Sequence, residues 1–391
     1  MKLLTKLKTI IPALFLSTLL SYSPLHVNPV PQHANIEQQV ELIEKKENKK
    51  LELSEIRGIY LHSWKSRNQE QLDEIIQNMK KTGLNAVVVD IKSNAGEILY
   101  KTLIPLAKEI ESQYPALGNL EYFIKKFHDQ DIYFIARQVV FNDPILVKSR
   151  PGLAIRDQSG KVWKGEMSNY FVPWVDPHSE DVNNYNLSIL EEVCKAGIDE
   201  IQFDYIRFPA CKNLIYPHQN ELSKLDVLKN FLDQAWLIAR DYDVKVGIDI
   251  FGFSILNKGD LGIGHSFSEL LDNIDVISPM LYPSHYSPGN FGFEMPQNHP
   301  FHIISESTKL ANEMAKEKGV VVRPWIQAFP WNTPNYCEDY IAEEILGVWE
   351  GGSTSYLVWN ANNNYKKLFD AIQNNGINDV QRSLKIQESL R

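Results

Sequence analysis

From residue 57 onward, short apolar runs alternate with amphipathic stretches eight times, and no other feature restricts the possible folds so strongly. The apolar runs, at 58–62, 86–92, 133–141, 200–208, 245–253, 276–282, 321–329 and 356–361, are built mainly from Ile, Val and Phe. They have the length and composition of strands. Between them the spacing predicts helices at 69–81, 120–129, 180–196, 222–242, 267–273, 305–318 and 336–350, with a last one at 366–374. Gly83 and Gly319 stand where a helix should stop before a strand. Such an alternation needs a parallel sheet wrapped by helices, and eight units in one run predict an α/β protein of the (β/α)8 TIM-barrel class with long βα loops. An open doubly wound sheet is the competing architecture. No GxGxxG or GxxxxGKS/T segment follows a strand, so no nucleotide cofactor is expected.

The chain divides into an export signal or uncleaved anchor at 1–23, a polar spacer at 24–54, the barrel at 55–376 and a C-terminal tail at 377–391. Lys2, Lys6 and Lys8 precede an apolar run at 9–20 that is short for a bilayer span, which is the layout of a signal peptide. The expected location is therefore periplasmic, envelope-bound or secreted, with membrane contact only through an uncleaved anchor. The net charge is −9, and the one basic run lies at 45–50, outside the barrel. That balance disfavours nucleic acid as a partner. Three cysteines, Cys194, Cys211 and Cys337, lack any CxxC spacing, so they supply no metal site and at most one bridge.

Polar and aromatic side chains collect at the exits of these apolar strands. In chain order they are Tyr60 and His62; Asp90 and Lys92; Arg137; Gln202, Asp204 and Arg207; Asp249; Met280 and Tyr282; Trp325 and Gln327; Trp359 and Asn360. Barrel enzymes draw catalytic groups from several strand ends, so this distribution predicts a site. Long connections at 142–179, with a hairpin expected over 154–164, and at 283–304 would shape it.

Glycoside cleavage needs two carboxyl groups flanking the scissile oxygen. Asp204 and Asp249 end neighbouring strands, which lie about 4.8 Å apart in a sheet, so their carboxyls could meet the ~5–5.5 Å spacing of retaining enzymes. Asp90, Asp143 and Asp176 are further acidic candidates. Lys92, Arg137 and Arg207 would hold charge or bind substrate, with Asp90, Gln202, Tyr282, Trp325, Gln327, Trp359 and Asn360 completing an oligo- or polysaccharide cleft. For Asp90 and Lys92 a structural ion pair is an equal alternative. His62, His265 and His285 lack metal-ligand spacing, so no metal is expected.

Several segments together resemble one family. They are Gly58-Ile-Tyr60, Val89-Asp-Ile-Lys-Ser-Asn-Ala-Gly96, Gly197-Ile-Asp-Glu-Ile-Gln-Phe-Asp-Tyr-Ile-Arg-Phe-Pro209, Asp249-Ile-Phe-Gly252, Ile277-Ser-Pro-Met-Leu-Tyr-Pro-Ser-His-Tyr286, Arg323-Pro-Trp-Ile-Gln327 and Leu357-Val-Trp-Asn-Ala361. In order and number they resemble the glycoside hydrolase family known as DUF4015, over residues 56–375. That family is similar to the wider group of TIM-barrel glycosidases that includes the α-amylase-like enzymes. The resemblance implies a barrel, a sugar substrate, Asp204 as nucleophile and Asp249 as acid/base. Two departures are visible: Asp249 where amylase-like enzymes carry Glu, and Ala328 where relatives often carry an acid. The competing expectation is thus a weak or inactive carbohydrate-binding barrel. A chitinase-type strand-four pattern would require an acid where Ile206 stands.

Overall fold

The structure is a computed structural model that describes residues 51–63, 68–165, 172–374 and 377. The expected signal at 1–23, most of the spacer and, Ile377 apart, the C-terminal tail lie outside the described residues. Nine strands are present: β1 Arg57–Leu61, β2 Ala86–Lys92, β3 Tyr133–Val139, β4 Glu200–Asp204, β5 Lys245–Phe251, β6 Val276–Met280, β7 Val321–Val322, β8 Trp325–Gln327 and β9 Tyr356–Trp359. Every pairing among them is parallel. Consecutive strands pair from β1 to β6, β6 pairs with both β7 and β8, β8 pairs with β9, and β9 returns to β1. The sheet therefore closes into a barrel of eight staves, as the alternation predicts. The seventh stave is two strands because Pro324 has no N–H to donate to the ladder.

Helices α1 Gln69–Thr82, α2 Pro105–Glu109, α3 Leu120–His128, α4 Pro144–Ser149, α5 Glu180–Lys195, α6 Lys224–Arg240, α7 Pro300–Ala315, α8 Glu338–Glu350 and α9 Lys366–Asn374 surround the barrel. Asn68, Asn119 and Ser223 cap α1, α3 and α6 by accepting a backbone N–H through their side chains. Gly83 and Gly319 close their helices in the left-handed conformation that glycine adopts without penalty. Two helix boundaries differ from the sequence reading. The stretch 267–273 forms turns rather than a helix. The seventh major helix starts at Pro300, not at residue 305, because proline at the first helical position sacrifices no hydrogen bond.

Apolar side chains separate into two layers. One, including Val87, Val89, Phe134, Ala136, Ile201, Phe203, Ile248 and Ile277, packs between strands and helices. The other fills the barrel, with Tyr60, Ala86, Val88, Tyr133, Ile135, Trp325 and Leu357 at its centre. Period-two alternation along each strand produces this division. At the N-terminal end of the barrel, Arg323 Nη1 donates to both carboxylate oxygens of Glu200 at 2.8 and 2.9 Å, and neither side chain reaches solvent. Gly247 makes room for this pair: a Cβ there would sit 2.9 Å from Glu200 Oε1. The three cysteines are all free.

Candidate active site

Most of the strands end before the apolar runs that predict them, and the residues beyond enter the mouth of the barrel. The run expected at 200–208 leaves the sheet after Asp204, where Tyr205 takes a left-handed φ of 50°. Strain of this kind in a non-glycine residue persists only where its surroundings enforce it. Phe203 and Ile248 form the last register pair between β4 and β5, so Asp204 and Asp249 each follow a paired residue on adjacent strands. Both line a pocket of about 200 Å³, together with Arg137, Tyr205, Arg207, Phe251, His265, Met280, Tyr282, Trp325 and Trp359.

The two carboxyls lie in different surroundings. Arg137 Nε and Nη2 donate to Asp204 Oδ2 at 3.0 and 2.5 Å, and the Tyr205 amide donates to Oδ1 at 2.6 Å. Arg137 is itself held by Asp90, which accepts from Nη1 at 2.5 Å and from the Tyr60 hydroxyl at 2.6 Å. Tyr60 stacks on Trp359 with centroids 4.2 Å apart, and the guanidinium lies 5.5 Å from the Trp359 ring. Asp249 is held differently: its Oδ1 accepts from Trp325 Nε1 at 2.6 Å. Burial pushes the Asp249 carboxyl well above the usual range, and the nearby charge of Asp204 adds to this, against a smaller opposing pull from Arg137. Burial likewise raises the Tyr282 hydroxyl, so it stays a neutral phenol. His265 donates through Nε2 to the Ile206 carbonyl at 3.0 Å, and burial followed by the Arg207 charge lowers its pKa to about 3. It is thus a neutral wall of the pocket. Arg207 packs between Trp174, at 4.6 Å, and Phe251, at 4.8 Å.

Of the residues expected at the site, Asp204, Asp249, Arg137, Arg207, Tyr282, Trp325 and Trp359 line the pocket, and Asp90 stands directly behind Arg137. Four others do not line it. Lys92 is turned away by a register shift between Asp90 and Lys92, which breaks the period-two alternation and aims the ammonium at the helices. There it pairs with Asp143 at 2.8 Å and donates to Asn186 and the Val140 carbonyl. Its partner is Asp143, so the ion pair that the sequence suggested with Asp90 is corrected. Gln202 is fully buried one layer below the pocket. Gln327 braces the mouth, accepting from the Ser284 hydroxyl at 2.7 Å and donating to the Phe329 and Trp331 carbonyls. Asn360 donates to the carbonyls of Ala328 and Asn364 and so shapes a turn.

Asp143 and Asp176 are both spent on structure. Asp143 caps α4, and Asp176 binds His178 Nδ1 at 2.8 Å and the His218 amide at 2.8 Å. The hairpin expected over 154–164 is present, with Arg156 bridging Val162, and Arg156 also bridges Ile215 to tie the loops after β3 and β4 together. Met280, one of the strand-exit residues, also lines the pocket, and Tyr205, Phe251 and His265 enter it without having been singled out as site residues. Phe251 was accessible to a simpler argument, since it stands two residues beyond Asp249 on the same strand face. His265 carried no such signal, because it arrives from the loop that follows β5, ahead of the stretch that reads as a helix. Among the described residues no group of three or more His, Cys, Asp or Glu converges as a metal site.

The sequence matches no curated protein. A hypothetical protein from Ruminiclostridium thermocellum is 34% identical over 49% of this chain and 96% of its own, with a TM-score of 0.44. The glycoside hydrolase domain of PgaB (BpsB) from Bordetella bronchiseptica is 14% identical, with 81% of this chain and 98% of that chain covered and a TM-score of 0.58. An alpha-L-fucosidase, isoenzyme 2, from Paenibacillus thiaminolyticus is 14% identical over 81% of this chain and 48% of that chain, with a TM-score of 0.53. The last two share the barrel fold with this protein. Residues 58–365 match the family described as "DUF4015: Putative glycosyl hydrolase domain". The chain belongs to this DUF4015 glycosyl hydrolase family, and the matched region spans the barrel from β1 to β9.

Proposed function

We propose that this protein is an exported retaining glycosidase acting on an envelope or extracellular polysaccharide, with Asp204 as nucleophile and Asp249 as acid/base. The observation that carries the reading is the contrast within the pair: one carboxylate is balanced by Arg137, while its neighbour is buried and favours its protonated form. Paired titratable groups whose environments drive them apart are the pattern of an acid/base assignment. With Oδ1 engaged by Trp325, the Asp249 proton resides on Oδ2. It passes to the glycosidic oxygen as the bond to the anomeric carbon breaks and Asp204 forms a new bond to that carbon. The first sugar leaves as an alcohol. Asp249, now ionised, takes a proton from water, and the water oxygen displaces Asp204 to regenerate both groups.

Ala328 motivates the competing reading of a barrel that binds sugar without cleaving it. Its burial outside the pocket lining, with its amide bonded to the Trp359 carbonyl at 3.0 Å, favours the hydrolase. An acid missing there would not be missing from the pocket.

A panel of activated 2-deoxy-2-fluoro glycosides differing in sugar tests the chemistry, since slow turnover of the covalent intermediate lets it be trapped. Peptide mapping should find one sugar attached to Asp204. A label on another residue, or product formed with inverted configuration by proton NMR, would remove Asp204 as nucleophile. Export is supported by the basic and apolar start of the sequence. Fractionation of the native cell should recover the protein outside the cytoplasm, and recovery of the full-length chain in the cytosol would overturn that part.

A further inference from the structure

Four aromatic side chains among the described residues are strongly exposed: Tyr122, Tyr242, Phe253 and Trp331. The two tyrosines belong to the helical layer, where Tyr122 carries the Lys126 ammonium over its ring and Tyr242 reaches Glu191. Phe253 and Trp331 are different. Each lies on a strand-exit segment, and each is joined by ring contacts to a residue of the pocket.

Phe251 lines the pocket, and Phe253 stacks on it with centroids 5.2 Å apart and planes 25° apart. On the other route, Tyr282 lines the pocket, His285 packs on Tyr282 at 5.3 Å, and Trp331 packs on His285 at 4.9 Å. Trp331 is 59% exposed, but its backbone is tied down. Gln327, anchored in β8, donates to its carbonyl, and Asn332 donates to the Ser284 carbonyl. A large apolar ring held in water by a buried glutamine is a prepared surface.

The pocket itself, at about 200 Å³, is smaller than the roughly 300–1,000 Å³ of most ligand sites. It suits one sugar ring better than a whole oligosaccharide. Pyranose rings present a face of C–H groups that packs flat on an aromatic ring, while their hydroxyls remain in water. An exposed aromatic at each of two exits therefore matches further sugar units of the same chain.

We infer that Phe253 and Trp331 are stacking platforms for sugar units at two strand exits beside the pocket, so that the enzyme engages several consecutive units of a polysaccharide rather than a single terminal sugar. This rests on the glycosidase reading for the position of the pocket, but it concerns binding and is tested without turnover.

Affinity electrophoresis provides the test, using the Asp204→Asn protein so that no probe is cleaved. The probes are dextran, polygalacturonate and glycol chitosan, which represent neutral, acidic and amino-sugar polymers. At least one should retard the protein, and Trp331→Ala and Phe253→Ala should each weaken that retardation about tenfold in polymer concentration. Both side chains are exposed, so the thermal midpoints should stay at the parent value. Titration of the retarding polymer should also change the tryptophan fluorescence of the parent, with the change reduced in Trp331→Phe. Retardation that survives both alanine substitutions would overturn the platforms, as would the absence of retardation by every probe. Neither result would bear on whether a trapped sugar is found on Asp204, so the two readings fail separately.

Discussion

Asp249→Asn is expected to lower turnover by roughly 10²–10⁴-fold, the usual contribution of a general acid/base, and at the same time to make the protein more stable at pH 7. The second half follows from burial. A carboxyl whose pKa is raised on folding binds a proton in the native state that the unfolded chain has released. Its contribution to stability is fully present below the unfolded value, about 3.9, and is lost as pH rises toward the folded value. Within that interval the cost grows with each step of pH, so it is larger at pH 7 than at pH 4. Asparagine matches the neutral acid in shape, keeps an oxygen for Trp325 Nε1, and has no proton to lose. Urea unfolding of both proteins across pH 4 to 8 measures the difference. The curves should converge near pH 4 and separate as pH rises; parallel curves would show that Asp249 is ionised in the native state. His265, whose lowered pKa gives the opposite slope between about 3 and its unfolded value, is present in both proteins and cancels. Asp204→Asn should lose turnover as well but gain no stability. It leaves the buried Arg137 with Asp90 as its carboxylate partner, at a cost of about 1.5–3 kcal/mol.

Breaking the ion pair at the N-terminal end of the barrel should give the largest loss of stability. Arg323 donates to Glu200, to Ser355 Oγ at 2.9 Å and to the Leu53 carbonyl. Burial raises the Glu200 pKa, against the opposing pull of Arg323, so the carboxylate depends on its partner to remain charged. Arg323→Met removes that partner and should cost about 3–5 kcal/mol. Combining it with Glu200→Leu removes both charges, and most of the loss should return. Thermal melts of the two single variants and the double variant form a double-mutant cycle. Additive losses would mean that the pair does not act as a unit. All three proteins should keep the activity per folded molecule, since the pair lies at the far end of the barrel from the pocket.

Much of this was legible in the sequence because strand period and strand exit are local properties. Asp204, Asp249 and Arg137 follow from counting along apolar runs, and the glycines at 83 and 319 mark helix ends by their backbone freedom alone. The failures have a common cause: they depend on what a neighbouring strand or helix does. Lys92 follows Asp90 at period two and should share its face, but a shift in pairing with β3 sends it outward. Gln327 reads as a ligand for sugar and proves to be a brace, because its partners arrive from Ser284 and from the turn beyond it. Glu200 reads only as the start of a strand, since its charged partner, Arg323, lies 123 residues away.

The register shift in β2 also decides the electrical character of the barrel mouth. Without it, the Lys92 ammonium would project beside Arg137 and compete for Asp90 and Asp204, and the carboxyl at Asp249 would lose part of its reason to hold a proton. One extra backbone position thus keeps an entire positive charge out of the pocket.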